Sequence, residues 1–302
     1  MYHLLLSGGG ADGIAYVGVI QALEEANLYH EIRHTAGTSI GALFAFIVAC
    51  QIPSIQLKPF IYDLCKHIET LQWQTNSVLN LITRMTIDSG QLLNTMIERV
   101  FVLAKLPLDT TFVQFSKITG RTCGCCSVCV EQAIPTYFTL DTTPDVKIFD
   151  ALYASMAIPI IFPPKVLNGL HYIDGGFIDN FPIDIFLKQS YHKEQVNIQD
   201  IYGVYIYKTF DKSENPYTNL LSLGSALIRC IFTKSIYFVE HYVKLLPNFL
   251  LLNDLPFSII PYQTNPQGFR LIFPEEKIKT CIEQGYQIMK KKLESSQTST
   301  SQ

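Results

Sequence analysis

Residues 37–41 read Gly37-Thr38-Ser39-Ile40-Gly41, a GxSxG pattern between an extended segment and an apolar one. This pattern is typical of a serine at a sharp turn from a strand into a helix, where small neighbours let the chains approach without a clash. The following run, 40–50, contains no charged or polar side chain, which predicts a helix buried on all sides. Ser39 would lie at the positive N-terminal end of that helix, so it is a candidate nucleophile.

A second glycine-rich segment stands near the start of the chain, where Gly8, Gly9 and Gly10 follow a strand-like run at 2–6. Residues 14–26 after it predict a mostly apolar helix. Consecutive glycines let backbone N–H groups converge at a helix N-terminus, where they stabilise negative charge. In an acyl-transfer enzyme that charge is the oxyanion of the tetrahedral intermediate. The loop is therefore a candidate oxyanion hole.

A third feature lies far downstream, where Asp174 ends an apolar run and two glycines follow it. A tight turn at this place would point the carboxylate at one specific partner. His171 precedes Asp174 on the same predicted strand, and Asp179-Asn180-Phe181-Pro182 follows the turn.

The three motifs occur in a fixed order along the chain. They are Gly8-Gly9-Gly10-x-x-Gly13, then Gly37-x-Ser39-x-Gly41, then Asp174-Gly175-Gly176. In this order they resemble the signature of the patatin-like phospholipase family. The stretch Ala154-Ser155-Met156-Ala157-Ile158-Pro159, with Phe162-Pro163-Pro164, is similar to the segment that leads into the family's catalytic Asp. The resemblance covers the chain from about residue 2 to about residue 186, with a weaker echo at 274–289.

The resemblance implies an acyl hydrolase of the phospholipase A or lysophospholipase type that works with a Ser–Asp dyad. Ser39 would be the nucleophile, Asp174 its base, and the amides of Gly8, Gly9 and Gly10 the oxyanion hole. The other motif glycines would support the turns: Gly13, Gly37, Gly41, Gly175 and Gly176. The family needs no histidine, and neither a cofactor nor a metal is expected. The implied substrate is a lipid at a membrane or micelle surface.

One residue departs from the family pattern. Asp12 stands between Ala11 and Gly13, where the family usually carries Arg or Lys. A basic side chain there would favour an anionic head group, and Asp12 does not. Asp12 is interpreted as an anion at the N-terminal end of a helix.

Four alternative functions share parts of this pattern. A Ser–His–Asp triad on an α/β-hydrolase fold is disfavoured because only one strand–helix unit precedes Ser39. Its candidate histidines, His192 and His241, are interpreted as surface residues, and His171 as a structural one. A phosphate-binding loop would need Lys and Ser or Thr after Gly13, which are missing. A lipid-binding relative without turnover and a neutral glyceride lipase remain open, as do head group, acyl position and oligomeric state.

Composition is that of a globular protein. The chain has 302 residues, 48% of them apolar and 16% charged, and its net charge of -3 argues against nucleic acid as a partner. We expect one domain over 1–294, a three-layer α/β/α sandwich with a mostly parallel central sheet, and a disordered polar tail over 295–302. No signal peptide or membrane-spanning segment is predicted, so a cytoplasmic location with peripheral membrane contact is expected.

The cysteines are expected to be reduced thiols rather than disulfides. Four of them fall within 123–129, and alternation along a strand would place Cys123, Cys125 and Cys129 on one face and Cys126 on the other. We interpret this run as a buried structural strand, with zinc or redox chemistry as the alternative.

Apolar spacing predicts the remaining elements. Helices are expected around 92–104, from Leu220 to Leu246 and over 274–293, with strands at 202–207 and 249–252. The region 53–89, which contains Trp73, would form helices that shape substrate access or only pack on the core. The helix from Leu220 is interpreted as a core helix rather than a membrane-surface helix because its polar face has few cations.

Overall fold

The computed structural model describes residues 2–70, 86, 88–188, 196–207, 246–253, 255–257, 262–265 and 268–299. Trp73, His192, His241 and the helix expected from Leu220, apart from its last residue, lie outside this part of the chain.

The structure is built on a mixed β-sheet. Its strands are β1 (Tyr2–Leu6), β2 (Ile32–Thr38), β3 (Thr122–Cys129), β4 (Ile134–Phe138), β5 (Lys165–Leu167), β6 (Leu170–Asp174), β7 (Ile201–Ile206) and β8 (Asn248–Leu252). They are hydrogen-bonded in the order β5–β6–β3–β2–β1–β7–β8, and β4 also pairs with β3. The adjacent strands β3, β2, β1, β7 and β8 are parallel to one another. In contrast, β4 and β6 pair antiparallel with β3, and β5 pairs antiparallel with β6. The expected α/β fold with a central sheet is confirmed.

Helices connect and cover these strands. They are α1 (Tyr16–Glu25), α2 (Ile40–Ala49), α3 (Ser54–Thr70), α4 (Gln91–Ala104), α5 (Phe112–Thr119), α6 (Ile148–Met156), α7 (Asp184–Leu187) and α8 (Glu275–Ser299). A hairpin of β9 (Tyr262–Asn265) and β10 (Gly268–Leu271) forms a separate two-stranded sheet. Within the described residues, no helix has both the length and the hydropathy to cross a membrane.

Each face of the sheet has its own apolar core, because successive side chains of a strand point to opposite sides. On β1, Leu4 and Leu6 belong to a large core that includes residues of α1, α2 and α8. Leu5 belongs to a smaller core on the other face, with Phe181 and Phe186 near α7. β1 is thus buried on both faces, as is usual for the strands of a parallel sheet.

The cysteine-rich strand is β3, and its alternation is confirmed. Cys123, Cys125 and Cys129 lie in the large core, whereas Cys126 lies in the smaller one. All four are buried free thiols, and burial raises the pKa of each of Cys123, Cys125 and Cys126 above its usual value. These thiols therefore pack as small apolar side chains.

The strand β3 brings two distant parts of the chain together. β4 pairs with Cys125–Cys129, which occupies one edge of β3. On the other edge, β2 pairs with the first half of β3 and ends with Thr38 opposite Cys126, while β6 pairs with the second half and ends with Asp174 opposite Ser127. Because Cys126 and Ser127 are consecutive, the ends of β2 and β6 meet.

Several described elements were not predicted from the sequence: β4, β5, α5, α6, α7 and the β9–β10 hairpin. α5 was not predicted between Pro107 and the cysteine-rich strand; its signal is a capping box in which Thr111 and Gln114 cap each other's backbone N–H groups. α8 continues to Ser299, beyond the expected end of the domain at residue 294, and the disordered polar tail over 295–302 stays a prediction. The polar residues from 295 onwards have few apolar side chains to pack. The helix nevertheless continues, because no Gly or Pro follows Gly285 to end it. The single domain over 1–294 stays a prediction.

Two glycines let α1 and α8 approach closely. A Cβ atom on Gly18 of α1 would collide with the carbonyl oxygen of Ile282 and would lie 2.5 Å from the amide nitrogen of Tyr286. In the same way, a Cβ atom on Gly285 of α8 would collide with the carbonyl oxygen of Ala15. The last helix is thereby fixed against the segment that follows the glycine loop.

We expect Gly18→Ala to lower the free energy of unfolding by about 2 kcal/mol or more. Alanine favours an isolated helix by about 1 kcal/mol, but backbone atoms that cannot give way make overpacking the larger effect. Urea unfolding followed by circular dichroism measures the change. The exposed Lys291→Ala on α8 should stay within about 0.5 kcal/mol of wild type, and an unchanged midpoint for Gly18→Ala would contradict the close approach.

Candidate active site

Ser39 occupies the sharp turn between β2 and α2. Its backbone angles, φ 56° and ψ -130°, lie outside the regions that non-glycine residues favour, which costs on the order of 1–3 kcal/mol. Small neighbours are required at this turn: a Cβ atom on Gly37 would lie 2.5 Å from the carbonyl oxygen of Gly41, and one on Gly41 would collide with the carbonyl oxygen of Ser7. The strand–turn–helix expected from the GxSxG pattern is present.

A buried hydroxyl helps to hold this turn. The N–H of Ser39 donates to Oγ of Ser155, 2.9 Å away, and Oγ of Ser155 donates to the carbonyl oxygen of Cys126 at 2.6 Å. Ser155 lies on α6 and has no exposed surface. It connects the backbone of Ser39 to β3, a role that the sequence did not show although Ser155 lies in the segment that resembles the family.

The side chains of Ser39 and Asp174 are in contact. Oγ of Ser39 donates to Oδ2 of Asp174 at 2.6 Å, a short bond of the charge-assisted kind. The other carboxylate oxygen, Oδ1, accepts from the N–H of Gly176 at 2.8 Å, and the N–H of Asp174 donates to the carbonyl oxygen of Ala157 at 3.0 Å. The turn thus fixes the carboxylate towards Ser39.

The environment of Asp174 favours a proton acceptor that works near neutral pH. The side chain is fully buried, and desolvation raises its pKa from 3.8 to about 7, against the opposing effect of hydrogen bonds from Ser39 and Gly176. A carboxylate with a pKa in this range binds a proton far more readily than an exposed one.

The glycine loop lies beside Ser39. A Cβ atom on Gly8 would be 3.2 Å from Cβ of Ser39. The N–H of Gly8 already donates to the carbonyl oxygen of Asn180 at 3.3 Å. Gly10 has a φ of 57°. The N–H groups of Gly9 and Gly10 have no acceptor among the described residues. Gly9 and Gly10 are thus the available donors of the loop.

The remaining motif residues are close by. A Cβ atom on Gly13 would lie 2.5 Å from the side chain of Ile40, and one on Gly175 would collide with the carbonyl oxygen of Cys126. Asp12 is buried, and its Oδ1 accepts from the N–H of Phe257 at 2.9 Å. Its carboxylate therefore anchors a downstream segment, and its place in the first turn of the 3-10 helix Gly10–Ala15 agrees with the expected N-terminal anion.

An apolar cavity extends from Ser39. It encloses about 960 Å³, counting space that is open to solvent, and none of its lining residues is charged. Its walls come from the glycine loop and from α2, α3 and α4, together with the end of α6, the segment that follows α6, and the end of β10. The lining residues are Gly10, Ala11, Ile14, Ser39, Ile40, Leu43, Phe44, Ile47, Phe60, Ile61, Leu64, Cys65, Ile68, Leu92, Leu93, Met96, Met156, Ile158, Ile161, Phe162, Leu271 and Phe273. The expected role of the region after residue 53 in shaping access agrees with the contribution of α3.

The candidate triad histidine within the described part is engaged elsewhere. The ring of His171 is half-exposed, and its Nδ1 lies 2.6 Å from Oε1 of Glu131. Among the described residues, no group of His, Cys, Asp and Glu side chains has the arrangement of a metal site.

Comparison with known proteins agrees with this geometry. The sequence profile of patatin-like phospholipases matches residues 4–187. The chain belongs to the patatin-like phospholipase family. It is 30% identical over 196 residues to the probable lipid hydrolase 463L of Invertebrate iridescent virus 6, covering 64% of each chain. It is 26% identical to lysophospholipase NTE1 of Candida albicans, over 62% of this chain and 12% of that protein.

A solved structure shares the patatin-like fold. VipD from Legionella pneumophila aligns with 97% of this chain and 67% of its own length, with a TM-score of 0.57 at 18% identity. At this identity the likeness concerns the fold. The chain spans somewhat under two thirds of the viral relative's length and about an eighth of the Candida albicans protein.

We expect Ser155→Ala to slow acylation of Ser39 by about tenfold or more, because the strained turn loses its side-chain anchor. It should also cost about 1–3 kcal/mol of stability, since a buried N–H is left unpaired. The measurement is the rate of labelling by a fluorophosphonate, per folded molecule. Thr35→Val is the matched control, because it removes a buried hydroxyl that binds the carbonyl oxygen of Ala45 and leaves Ser39 alone; equal labelling rates in both variants would contradict the role of Ser155.

Proposed function

We propose that this protein is a lipid acyl hydrolase of the phospholipase A or lysophospholipase type, with Ser39 as nucleophile and Asp174 as base. The observation that carries the proposal is the 2.6 Å hydrogen bond from Oγ of Ser39 to Oδ2 of Asp174, at the wall of an apolar cavity. The names of the relatives, a probable lipid hydrolase and a lysophospholipase, support the same substrate class.

In the first half-reaction the Asp174 carboxylate takes the hydroxyl proton of Ser39, and Oγ attacks the carbonyl carbon of the ester. The electron pair of the C=O bond moves onto oxygen, and the N–H groups of Gly9 and Gly10 stabilise that oxyanion. When the C–O bond to the leaving alcohol breaks, the alkoxide takes the proton from Asp174. The product is an acyl ester of Ser39.

In the second half-reaction a water molecule replaces the alcohol. Asp174 takes a proton from this water, the resulting oxygen nucleophile attacks the acyl carbon, and the proton returns to Oγ of Ser39 as the fatty acid leaves. One carboxylate serves both steps because it is regenerated each time. Each oxyanion donor is worth roughly 3 to 4 kcal/mol of barrier, so Gly9 and Gly10 contribute alongside the base.

The cavity supports a fatty acyl substrate. Ile40, Leu43, Phe44 and Ile47 of α2 line it at helical spacing, so its wall extends from the nucleophile along about two turns of the helix, ~11 Å. An apolar wall of this length suits an acyl chain, and the absence of charge on the lining leaves the head group outside. Ile160 and Ile178, near the cavity and the Asp174 turn, are 39% and 45% exposed. These apolar side chains support action at a membrane or micelle surface.

Wild type, Ser39→Ala and Asp174→Asn should be compared by fluorophosphonate labelling, read by intact mass and peptide mapping, and by fatty acid release from phospholipid, lysophospholipid and triglyceride. We expect wild type to be labelled at Ser39 and to release fatty acid, and both variants to lose at least about 10³-fold in rate. Ser39 left unlabelled in folded protein that binds lipid would instead indicate a lipid-binding relative. Release from triglyceride alone would indicate a glyceride lipase.

The pH dependence follows from the raised pKa of Asp174. Only the carboxylate accepts the proton, so kcat/KM should rise with pH and level off above an apparent pKa of about 7. A buried carboxyl group with a raised pKa also makes the folded state less stable as pH rises from 3.8 towards 7, because the unfolded state gives up its proton first. Asp174→Asn should therefore unfold at a higher temperature than wild type at pH 8. A profile that is flat from pH 5 to 9 would exclude Asp174 as the base.

A further inference from the structure

One buried residue fastens the glycine loop to the turn that carries Asp174. Asn180 has 3% of its surface exposed. Its carbonyl oxygen accepts from the N–H of Gly8 at 3.3 Å, and its side-chain Nδ2 donates to the carbonyl oxygen of Gly8 at 3.3 Å. Asn180 thus binds both the amide and the carbonyl of one residue, the first of the three glycines.

The chemistry of the contact fixes the orientation of the Asn180 amide. With Nδ2 towards the carbonyl oxygen of Gly8, a donor faces an acceptor. The reverse orientation would put two oxygen atoms 3.3 Å apart without a hydrogen between them. The hydroxyl of Tyr205 lies 3.5 Å from the same Nδ2, at the outer limit of a hydrogen bond.

The segment that carries Asn180 is itself held in place. Oγ1 of Thr38, next to the nucleophile, donates to the carbonyl oxygen of Asp179 at 2.9 Å. The N–H of Asp179 donates to the carbonyl oxygen of Gly175 at 2.9 Å, and its carboxylate accepts from the hydroxyl of Tyr137 at 2.8 Å. Asn180 is therefore a fixed point relative to Asp174.

A second bond to the carbonyl oxygen of Gly8 has a different origin. Oγ of Ser7 donates to it at 3.0 Å, and the same Oγ accepts from the N–H of Ile206 on β7 at 2.8 Å. Ser7 thus connects the loop to the sheet. Among these contacts, those of Asn180 connect the glycine loop to the turn that carries Asp174.

We propose that Asn180 is a positioning residue that sets the peptide planes of the glycine loop, so that the N–H groups of Gly9 and Gly10 face the acyl group bound at Ser39. The inference rests on the proposed function. It is carried by the two bonds to Gly8 and by the space around it: a Cβ atom on Gly8 would collide with Oδ1 of Asn180 and would lie 3.2 Å from Cβ of Ser39. Gly8 is held between the two side chains, and any rotation there displaces Gly9 and Gly10.

The arrangement has a cost that a purely structural residue would avoid. Oδ1 of Asn180 is buried and has no hydrogen-bond donor among the described residues. A buried polar atom without a partner destabilises the folded state, and a leucine of similar size would remove that penalty. What leucine would not supply is the donor that orients Gly8.

The test compares wild type with Asn180→Leu in two independent measurements. Hydrogen–deuterium exchange of the peptide that contains residues 7–13 reports on the loop and needs no activity. We expect exchange there to be faster by on the order of tenfold in the variant, with the rest of the chain unchanged. Steady-state hydrolysis should show kcat lowered about 100-fold with KM within about threefold, because donor placement affects the transition state more than substrate binding.

Tyr205→Phe is the matched control, since it removes a buried hydroxyl beside Nδ2 and leaves both bonds to Gly8. Its exchange and kcat should stay within about threefold of wild type. If Asn180→Leu does not fold, the isosteric Asn180→Asp places a carboxylate oxygen opposite the carbonyl of Gly8 and carries the same expectation. Unchanged loop exchange, or unchanged kcat in active protein, would overturn the proposal. A wild type without labelling or hydrolysis would refute the proposed function instead, and loop exchange would then decide the connection by itself.

Discussion

The candidate site depends on one strand, β3, that serves as a common edge for two others. β2 arrives parallel to it and ends opposite Cys126, while β6 arrives antiparallel and ends opposite Ser127. Backbone hydrogen bonds of β3 therefore bring the residue after β2 close to the last residue of β6, independently of their side chains. Ser39 and Asp174 are 135 residues apart in the sequence, and the pairing of β2 and β6 with β3 brings them together in space.

Burial gives this meeting point its chemical character. α2 is buried along nearly its whole length, so Ser39 stands at the end of a helix with almost no exposed side chains. Asp174 lies in the same dry region, and the loss of hydration raises its pKa more than its two hydrogen bonds lower it. The strained backbone of Ser39 is held by Ser155 of α6, which is itself bound to β3, so folding energy elsewhere compensates for a conformation that the turn alone would not adopt.

The sequence predicted the parts of this site that depend on local geometry. Glycines at 37 and 41 and the apolar run after Ser39 specify the turn, and the strands at β1, β7 and β8 and the faces of the cysteine-rich strand followed from apolar patterning. What the sequence did not show depends on long-range contacts. The contacts of Ser155 and Asn180 exist only when β3 and the Asp174 turn are assembled. The sequence also did not show that the N–H of Gly8 donates to the carbonyl oxygen of Asn180. Similarly, α5 follows from a capping box that apolar spacing does not detect.

The close packing of α8 has a consequence for how the molecule is made. The segment after the glycine loop contacts the last helix through Gly285, and Sγ of Cys281 donates to the carbonyl oxygen of Asp12 at 3.6 Å. During synthesis the glycine loop leaves the ribosome before these partners do, because Cys281 follows Asp12 by 269 residues. A nascent chain therefore lacks the contacts of α8 with the segment after the glycine loop until that helix has emerged, so the candidate site reaches its described geometry only after the fold has closed on itself.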